Sequence, residues 1–262
     1  YSNKDCGETD QFIIEACDNA EAINTPGTPD NLALVWLKTS NNAHLDRKSD
    51  YGKRRLLQRY ILVLLYYATE GDGWANRDNW LTPFHECDGL TDPNQPDCTC
   101  PVIDTGGICV NDCPVDKSWY GINECDTDGN VLKIELDDNN LKGYLPKCIG
   151  KLAHLEHLDL ENNDIGSSIP NEITNLSNLM YLDLDNNALT STIPVNIKGL
   201  DDLEYLSIRN NQLTGPLPSF ECLSDLWFLD LGQNQLTGSI TSAFCDNLNS
   251  LKELYLDNNK LQ

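Results

Sequence analysis

Two kinds of side chain that can bind a ligand recur at a near-constant interval in the second half of the chain. One set is aromatic or His and the other is acidic, and the candidate positions are His157, Tyr181, Tyr205, Phe228, Asp159, Asp183, Asp185 and Asp230. Rigid rings offer a large contact area at a low entropic cost, and carboxylates orient cationic or hydroxyl groups by charge-assisted hydrogen bonds. The pattern predicts a ligand-binding surface, and the alternative is a solvated sheet whose rings merely pack as cross-strand pairs.

The element that would place these residues together is a repeat in residues 131–262. Its unit is LxxLxLxxNxL, and its Asn recurs in steps of 23 to 25 residues, at Asn139, Asn163, Asn187, Asn211, Asn234 and Asn259. This period and pattern are typical of the leucine-rich repeat. In LxL, two buried leucines flank an outward residue, which predicts a short strand with one buried face. Stacked coils would pair these strands, so each candidate set forms a column about 24 Å long.

The sequence therefore predicts an α/β repeat protein, a right-handed leucine-rich-repeat solenoid with a concave parallel β-sheet and a helical, disulfide-rich N-terminal cap. Residues 1–30 form a disulfide-bearing segment, and residues 31–130 form the helical cap with a Cys-rich insertion at 88–118. Residues 131–262 hold about six repeats, and no closing repeat follows them. Since solenoids need capped ends, we expect the chain to continue or a partner to cover this end.

Two helices of the cap have recognisable ends. Asp30 is a favourable N-cap for a short helix over residues 31–38, and Ser49 or Asp50 begins a longer helix. That longer helix is expected to end before Gly71, a favourable C-cap residue. Its second half is apolar on nearly all sides, which predicts that it is buried against the first coil.

Eleven cysteines, mostly outside the repeats, predict disulfides and an oxidising, secreted setting. Cys6 and Cys17 are the simplest local pair, and Cys222 and Cys245 occupy equivalent positions in successive coils. Cys148 then has no assigned partner, and three alternatives stay open for it: a free thiol, a bond to the N-terminal segment, or a bond between chains. The spacing in the insertion is not the CxxC pair usual for zinc. Disulfides among six cysteines are therefore favoured over a zinc cluster, namely Cys87, Cys98, Cys100, Cys109, Cys113 and Cys125.

Charge and motifs exclude several functions. The formal charge of −23 argues against nucleic-acid binding and favours cationic partners. The longest apolar run, residues 60–68, is too short to span a membrane. The chain has no nucleophile elbow, phosphate loop or HExxH helix, and an open sheet is not expected to raise a carboxyl pKa as a general acid requires. The sequence thus predicts no enzyme, no catalytic residue and no cofactor.

One metal site and one modification site are weaker candidates. Acidic residues at Glu124, Asp126, Asp128 and Glu135 have the spacing of a calcium-binding EF loop. A cysteine interrupts the loop and a strand follows it, so the Asp-Gly pair at 128–129 is better explained as a hairpin turn. Asn175, in Asn-Leu-Ser, is the only N-glycosylation sequon.

Several motifs point to a known family. The run Trp-Tyr-Gly-Ile at 119–122, followed by Cys125, an Asp-Gly turn and Val131, resembles the N-terminal cap of plant-type leucine-rich repeats. Leu-Thr-Gly at 213–215 and 236–238 and the Ile-Pro pairs fit the same subclass. The chain thus resembles plant receptor-like kinase ectodomains and polygalacturonase-inhibiting proteins. Its Leu-Leu-Gln-Arg-Tyr helix and Gly-Asp-Gly-Trp loop resemble secreted or membrane-anchored repeat proteins of diatoms and related algae.

The resemblance implies an extracellular or cell-surface recognition module. We expect it to bind a protein, peptide or carbohydrate ligand through the concave face, with a cationic ligand favoured by charge. One alternative is an extracellular structural or assembly protein that associates with itself. Another, implied by the likeness to polygalacturonase-inhibiting proteins, is an inhibitor of a secreted glycosidase.

Overall fold

The computed structural model describes residues 11–39, 49–82, 86–87, 118–240, 244 and 248–262. The helical cap contains α1 (residues 11–17), α2 (Ala20–Asn24), α3 (Pro29–Thr39) and α4 (Asp50–Ala68). Across the described residues, no helix is both long enough and apolar enough to cross a membrane.

Helix α4 follows the sequence prediction at its start and departs from it at its end. The hydroxyl of Ser49 accepts the backbone N–H of Gly52 at 3.1 Å, so Ser49 is the N-cap. After the helix, the left-handed residue is Glu70, with φ of 55°, and Gly71 instead begins a 3-10 turn. Gly71 is needed for another reason, because a Cβ there would overlap the ring of Tyr66. The predicted C-cap role of Gly71 was therefore wrong.

The repeats form the predicted solenoid, with a seven-stranded sheet and smaller sheets behind it. The large sheet has the order β1-β2-β4-β6-β7-β9-β11, in which β1 is antiparallel to β2 and all other neighbours are parallel. The smaller sheets pair β3 with β5, and β8 with β10 and β12. The strands are β1 Ile122–Cys125, β2 Val131–Glu135, β3 Lys142–Tyr144, β4 His157–Asp159, β5 Asp164–Gly166, β6 Tyr181–Asp183, β7 Tyr205–Ser207, β8 Thr214–Pro216, β9 Phe228–Asp230, β10 Gln235–Gly238, β11 Glu253–Tyr255 and β12 Lys260–Leu261.

The repeated Asn residues join each coil to the one before it. The Asn163 amide donates to the carbonyl of Leu136 at 2.8 Å, and its Oδ1 accepts the N–H of Leu141 at 2.9 Å. These backbone groups lie where no strand partner reaches them, and buried polar groups must be paired. The same two links recur at Asn187 and Asn211.

Helix α4 closes the first coil as predicted. Residues 60–65 are all buried, and the helix packs against β3 and the 3-10 turn at Lys147–Lys151. Behind the large sheet, Ile149, Ile173 and Ile197 fill the back of successive coils and are at most 2% exposed. The apolar core is therefore continuous from the cap into the repeats.

A buried arginine cluster holds the cap loop on α4. The Arg59 guanidinium lies 5.2 Å from the ring centre of Trp119 and 5.5 Å from that of Trp36, a cation–π arrangement. Arg55 and Arg59 both approach the carboxylate of Glu86, at 3.2 and 3.5 Å. All three charged side chains are at most 3% exposed, so they depend on one another for compensation of charge.

Disulfides correct one sequence prediction and support another. Cys17 bonds Cys148 across 131 residues, so the predicted pairing of Cys17 with Cys6 was wrong. Sequence proximity suggested the local pair, whereas packing on α4 brings the end of α1 onto the first coil. Cys87 bonds Cys125 across the insertion, within the predicted group.

The predicted bridge from Cys222 to Cys245 is not formed. Cys222 is a free, exposed thiol at a left-handed backbone position with φ of 75°. Several of the predicted cysteines lie outside the described residues, namely Cys6, Cys98, Cys100, Cys109, Cys113 and Cys245.

Candidate functional site

The concave face carries the predicted aromatic column in strict register. His157, Tyr181, Tyr205 and Phe228 pair as neighbours on β4, β6, β7 and β9. Their ring centres are 4.0, 4.3 and 4.4 Å apart, with interplanar angles of 5°, 9° and 5°. Each ring therefore stacks face to face on the next, and we call these four residues the aromatic column.

This stacking restricts what the aromatic column can do. Since each inner ring is covered on both faces by its neighbours, a ligand meets ring edges and not ring faces. Of the two ways in which these rings could anchor a ligand, stacking or apolar contact, face stacking is therefore not open to Tyr181 and Tyr205, and apolar contact stays a prediction. The rings instead form a rigid, half-buried wall beside the acidic residues.

Asp183 lies at the centre of the face and is tied to this wall. It is only 2% exposed, and its Oδ2 accepts the hydroxyls of Tyr181 at 3.3 Å and Tyr205 at 3.2 Å. Its Oδ1 accepts the backbone N–H of Asp185 at 3.0 Å. Burial, and then the charge of Asp183, raises the pKa of both tyrosine hydroxyls, so they remain protonated donors. Burial likewise raises the pKa of Asp183.

Two further carboxyl groups have strongly raised pKa values. Burial, and then the charges of Asp183 and Glu161, raises the pKa of Asp159 to about 7. Burial, and then the charge of Asp183, raises the pKa of Asp185 to about 7, although its Oδ1 accepts the Ser207 hydroxyl at 2.7 Å and the N–H of Arg209. The expectation that an open sheet cannot raise a carboxyl pKa was wrong. Burial removes water from these carboxyl groups, and the like charges of neighbouring carboxylates raise their pKa values further.

The ends of the face are neutralised by ion pairs. At the C-terminal end, Arg209 contacts Asp230 at 3.3 Å and binds Asp257 through two hydrogen bonds of 3.0 and 3.1 Å. The guanidinium crosses Gly232, where an added Cβ would meet it. At the N-terminal end, Lys133 pairs with Glu135 at 2.7 Å.

Between these ends lie carboxyl groups whose negative charge is not compensated by a neighbouring basic side chain of the described residues. Burial, and then the charge of Lys133, lowers the pKa of His157 to about 4, so this imidazole is neutral at pH 7. No basic side chain in the described part of the chain comes within 4 Å of four residues that we call the acidic strip, Asp159, Glu161, Asp183 and Asp185. Like charges at strand spacing repel by about 1 kcal/mol per pair even in bulk water. A cationic ligand would relieve that repulsion.

Sequence analysis missed two apolar residues beside the aromatic column, Met180 and Trp227, which we call the apolar margin; Glu204 lies between them in the same column of the sheet. Met180 is 38% exposed just before β6. Trp227, just before β9, lies 5.9 Å from the ring of Tyr205 and 5.7 Å from that of Phe228. Both residues occupy the outward position that precedes the aromatic column in each repeat, which is the signal that could have found them.

The calcium candidates are engaged in local structure. Asp126 Oδ1 accepts the N–H groups of Asp128 at 2.9 Å and Asn130 at 2.8 Å, which closes the hairpin turn between β1 and β2 as predicted. Glu135 binds Lys133 and Asn123. The residues that the structure covers contain no group of three or more acidic, His or Cys side chains placed to hold a metal ion.

The sequon residue is accessible. Asn175 is exposed at the end of the 3-10 turn Asn171–Asn175, behind the large sheet, so its glycosylation remains a prediction.

Comparison with known families agrees with this architecture. The family model described as "Leucine-rich repeat region" matches residues 130–260, which is half of the chain. The chain belongs to the leucine-rich repeat family. No curated protein matches it.

Two solved plant-type structures are similar to this chain. A crystal structure of PEPR1-AtPEP1 is 35% identical, covers 55% of this chain and 20% of its own, and has a TM-score of 0.52. The second is the leucine-rich-repeat ectodomain of the plant membrane receptor kinase GASSHO1/SCHENGEN3 from Arabidopsis thaliana, in complex with CASPARIAN STRIP INTEGRITY FACTOR 2. It is 31% identical, covers 66% of this chain and 20% of its own, and also has a TM-score of 0.52. The present chain spans about one fifth of the length of either relative, and the likeness supports the predicted plant-type repeat.

Proposed function

We propose that this chain is an extracellular recognition module whose concave face binds a cationic segment of a peptide or protein. The observation that carries the proposal is the acidic strip, whose buried or half-buried carboxyl groups have no basic partner among the described residues. Lysine and arginine side chains supply the charge-assisted hydrogen bonds that such carboxylates lack. The aromatic column and the apolar margin would receive neighbouring apolar side chains.

Two features favour a peptide over a carbohydrate. The faces of the inner rings, Tyr181 and Tyr205, are occupied by the neighbouring rings, so they are not free to stack on a sugar. The strip lies along several strands of the concave face, so it fits an extended segment that crosses them. The ectodomain of GASSHO1/SCHENGEN3 was solved in complex with a partner, which supports a recognition role for this kind of repeat.

The proposal is tested by selecting ligands from a random peptide library, so that no peptide sequence is chosen in advance. Random 12-residue peptides displayed on phage are selected on the purified chain, and recovered peptides are titrated by calorimetry. We expect enrichment in Lys and Arg, and a loss of affinity of about tenfold for each of Asp183→Asn and Asp185→Asn, because each removes negative charge from the acidic strip. Asp164→Asn, an exposed carboxylate behind the sheet, is the matched control.

Two outcomes would reject the proposal. One is recovery of peptides with no basic bias, and the other is equal affinity for the concave-face variants and the control. Sedimentation of the chain alone separately tests the alternative of self-assembly, which predicts concentration-dependent association without any peptide.

A further inference from the structure

A second candidate site lies away from the concave face, between the N-terminal helices and the back of the first repeat. It is a cavity of about 560 Å³, within the range of small-molecule sites. One side comes from the α1–α2 turn and the start of α3, and the other from Tyr144, Pro146 and Lys147 of the first repeat. The Cys17–Cys148 disulfide joins the two sides. We call it the cap cavity.

The polar groups of the cap cavity are mostly acceptors. Among the described residues that line it, Asp18, Glu21 and Asp30 are acidic and only Lys147 is basic. Asp30 is partly buried, yet no basic side chain of the described residues lies within 4 Å of it. Its Oδ1 instead accepts the Asn19 amide at 2.6 Å and the Tyr60 hydroxyl at 3.3 Å.

This network leaves an unpaired acceptor. Because the Asn19 amide nitrogen donates to both Asp30 and Tyr60, at 2.6 and 2.8 Å, the orientation of the amide is fixed. Its Oδ1 is then buried with no hydrogen-bond partner. Asn19 is also the N-cap residue of α2 but makes no capping bond. A buried acceptor without a donor is costly, so this wall favours a ligand that brings N–H groups.

The rest of the cap cavity is apolar. Leu64 of α4, Ala22, Pro146 and the disulfide line it, together with the partly exposed ring of Tyr144. Burial, and then the charge of Asp30, raises the pKa of both Tyr60 and Tyr144, so the field of Asp30 reaches both hydroxyls. An aromatic ring beside a carboxylate is a favourable setting for an organic cation.

We propose that the cap cavity binds a small organic cation, an ammonium group on a compact apolar body. The ammonium would lie at Asp30 and donate to the acceptors around it, and the apolar body would lie between Leu64 and Tyr144. This site is separate from the acidic strip and does not depend on the proposed peptide binding.

The test compares two probes of the same shape. The full chain is titrated by calorimetry with 2-phenylethylammonium and with neutral 2-phenylethanol. We expect saturable binding of the cation, at least tenfold tighter than the alcohol. Asp30→Asn keeps an acceptor for Asn19 and Tyr60 but removes the charge, so it should abolish that preference. Glu21→Gln, whose side chain has no structural hydrogen bond in the described residues, should weaken binding of the cation severalfold.

Controls separate this site from general attraction to an acidic protein. Asp201→Asn, an exposed carboxylate in a repeat loop, and Asp183→Asn on the concave face should leave binding of the cation unchanged. The proposal is overturned if the cation does not bind saturably, if it binds no tighter than the alcohol, or if Asp183→Asn weakens it. If Asp30→Asn does not fold, unchanged binding in Glu21→Gln overturns the proposal in its place.

Discussion

Replacing Asp159 by Asn should make the protein more stable at pH 8. Burial, and then the charges of Asp183 and Glu161, raises the pKa of Asp159 from 3.8 to about 7 in the folded chain. The folded state therefore binds a proton more tightly than the unfolded state. The stability that this proton gives to the folded state is fully present below about pH 4 and is lost as the pH rises to about 7. An Asn residue keeps an oxygen for the one backbone N–H that Asp159 accepts, that of Glu161 at 3.1 Å.

The size of the effect follows from the shift. Three pKa units at about 1.4 kcal/mol each set an upper limit of about 4 kcal/mol. Asp159 is only partly buried and its neighbours can relax, so we expect a gain of about 1–2 kcal/mol at pH 8. The gain should shrink as the pH falls and become small near pH 4, where the carboxyl is protonated in the folded state and about half ionised in the unfolded state.

Urea denaturation followed by circular dichroism at pH 8 and pH 4 measures this gain. Asp164→Asn, an exposed carboxylate of β5, is the control and should change stability by less than about 0.5 kcal/mol at either pH. A neutral or destabilising effect of Asp159→Asn at pH 8 would refute the reasoning, as would a gain that persists unchanged at pH 4.

Three other substitutions test separate parts of the fold. Asn187→Ala leaves the N–H of Ile165 and the carbonyl of Leu160 without partners, and should cost about 3 kcal/mol in urea denaturation. Gly232→Ala places a Cβ against Arg209 and should cost about 1–2 kcal/mol, measured as a lower thermal midpoint that added salt does not restore. Cys148→Ser removes the disulfide between residues 131 positions apart and should lower the free energy of unfolding by about 4 kcal/mol. Cys222→Ser should change it by almost nothing in the same denaturation series.

Periodic features of this protein were predictable from sequence because the same residue pattern recurs in each repeat. The strands, the Asn links and the columns of the concave face all follow from a unit of 23 to 25 residues. Once the register is known, His157, Tyr181 and Tyr205 must be neighbours. The start of α4 was predictable as well, since Ser49 caps it by a local rule.

Features that depend on a single long-range contact were not predictable. The bond of Cys17 to Cys148 depends on how α1 packs over α4, which no local pattern encodes. The Arg59 cluster was missed because an arginine in a helix usually faces solvent, and only the tryptophans around it explain its burial. The raised pKa of Asp185 likewise depends on its burial and on the charge of Asp183, and that burial is visible only in three dimensions.

Photo-cross-linking of a selected basic peptide tests the central claim most directly. A peptide recovered from the phage selection is synthesised with a photoreactive group beside its central Lys, and cross-linked sites are mapped by mass spectrometry. We expect cross-links on the concave face, at Met180 and on the strands Tyr181–Asp183 and Tyr205–Ser207, and we expect excess free Lys-rich peptide to suppress them. Cross-links that fall instead on the cap insertion at 88–118 or on the back of the solenoid would contradict the claim that the concave face is the binding surface.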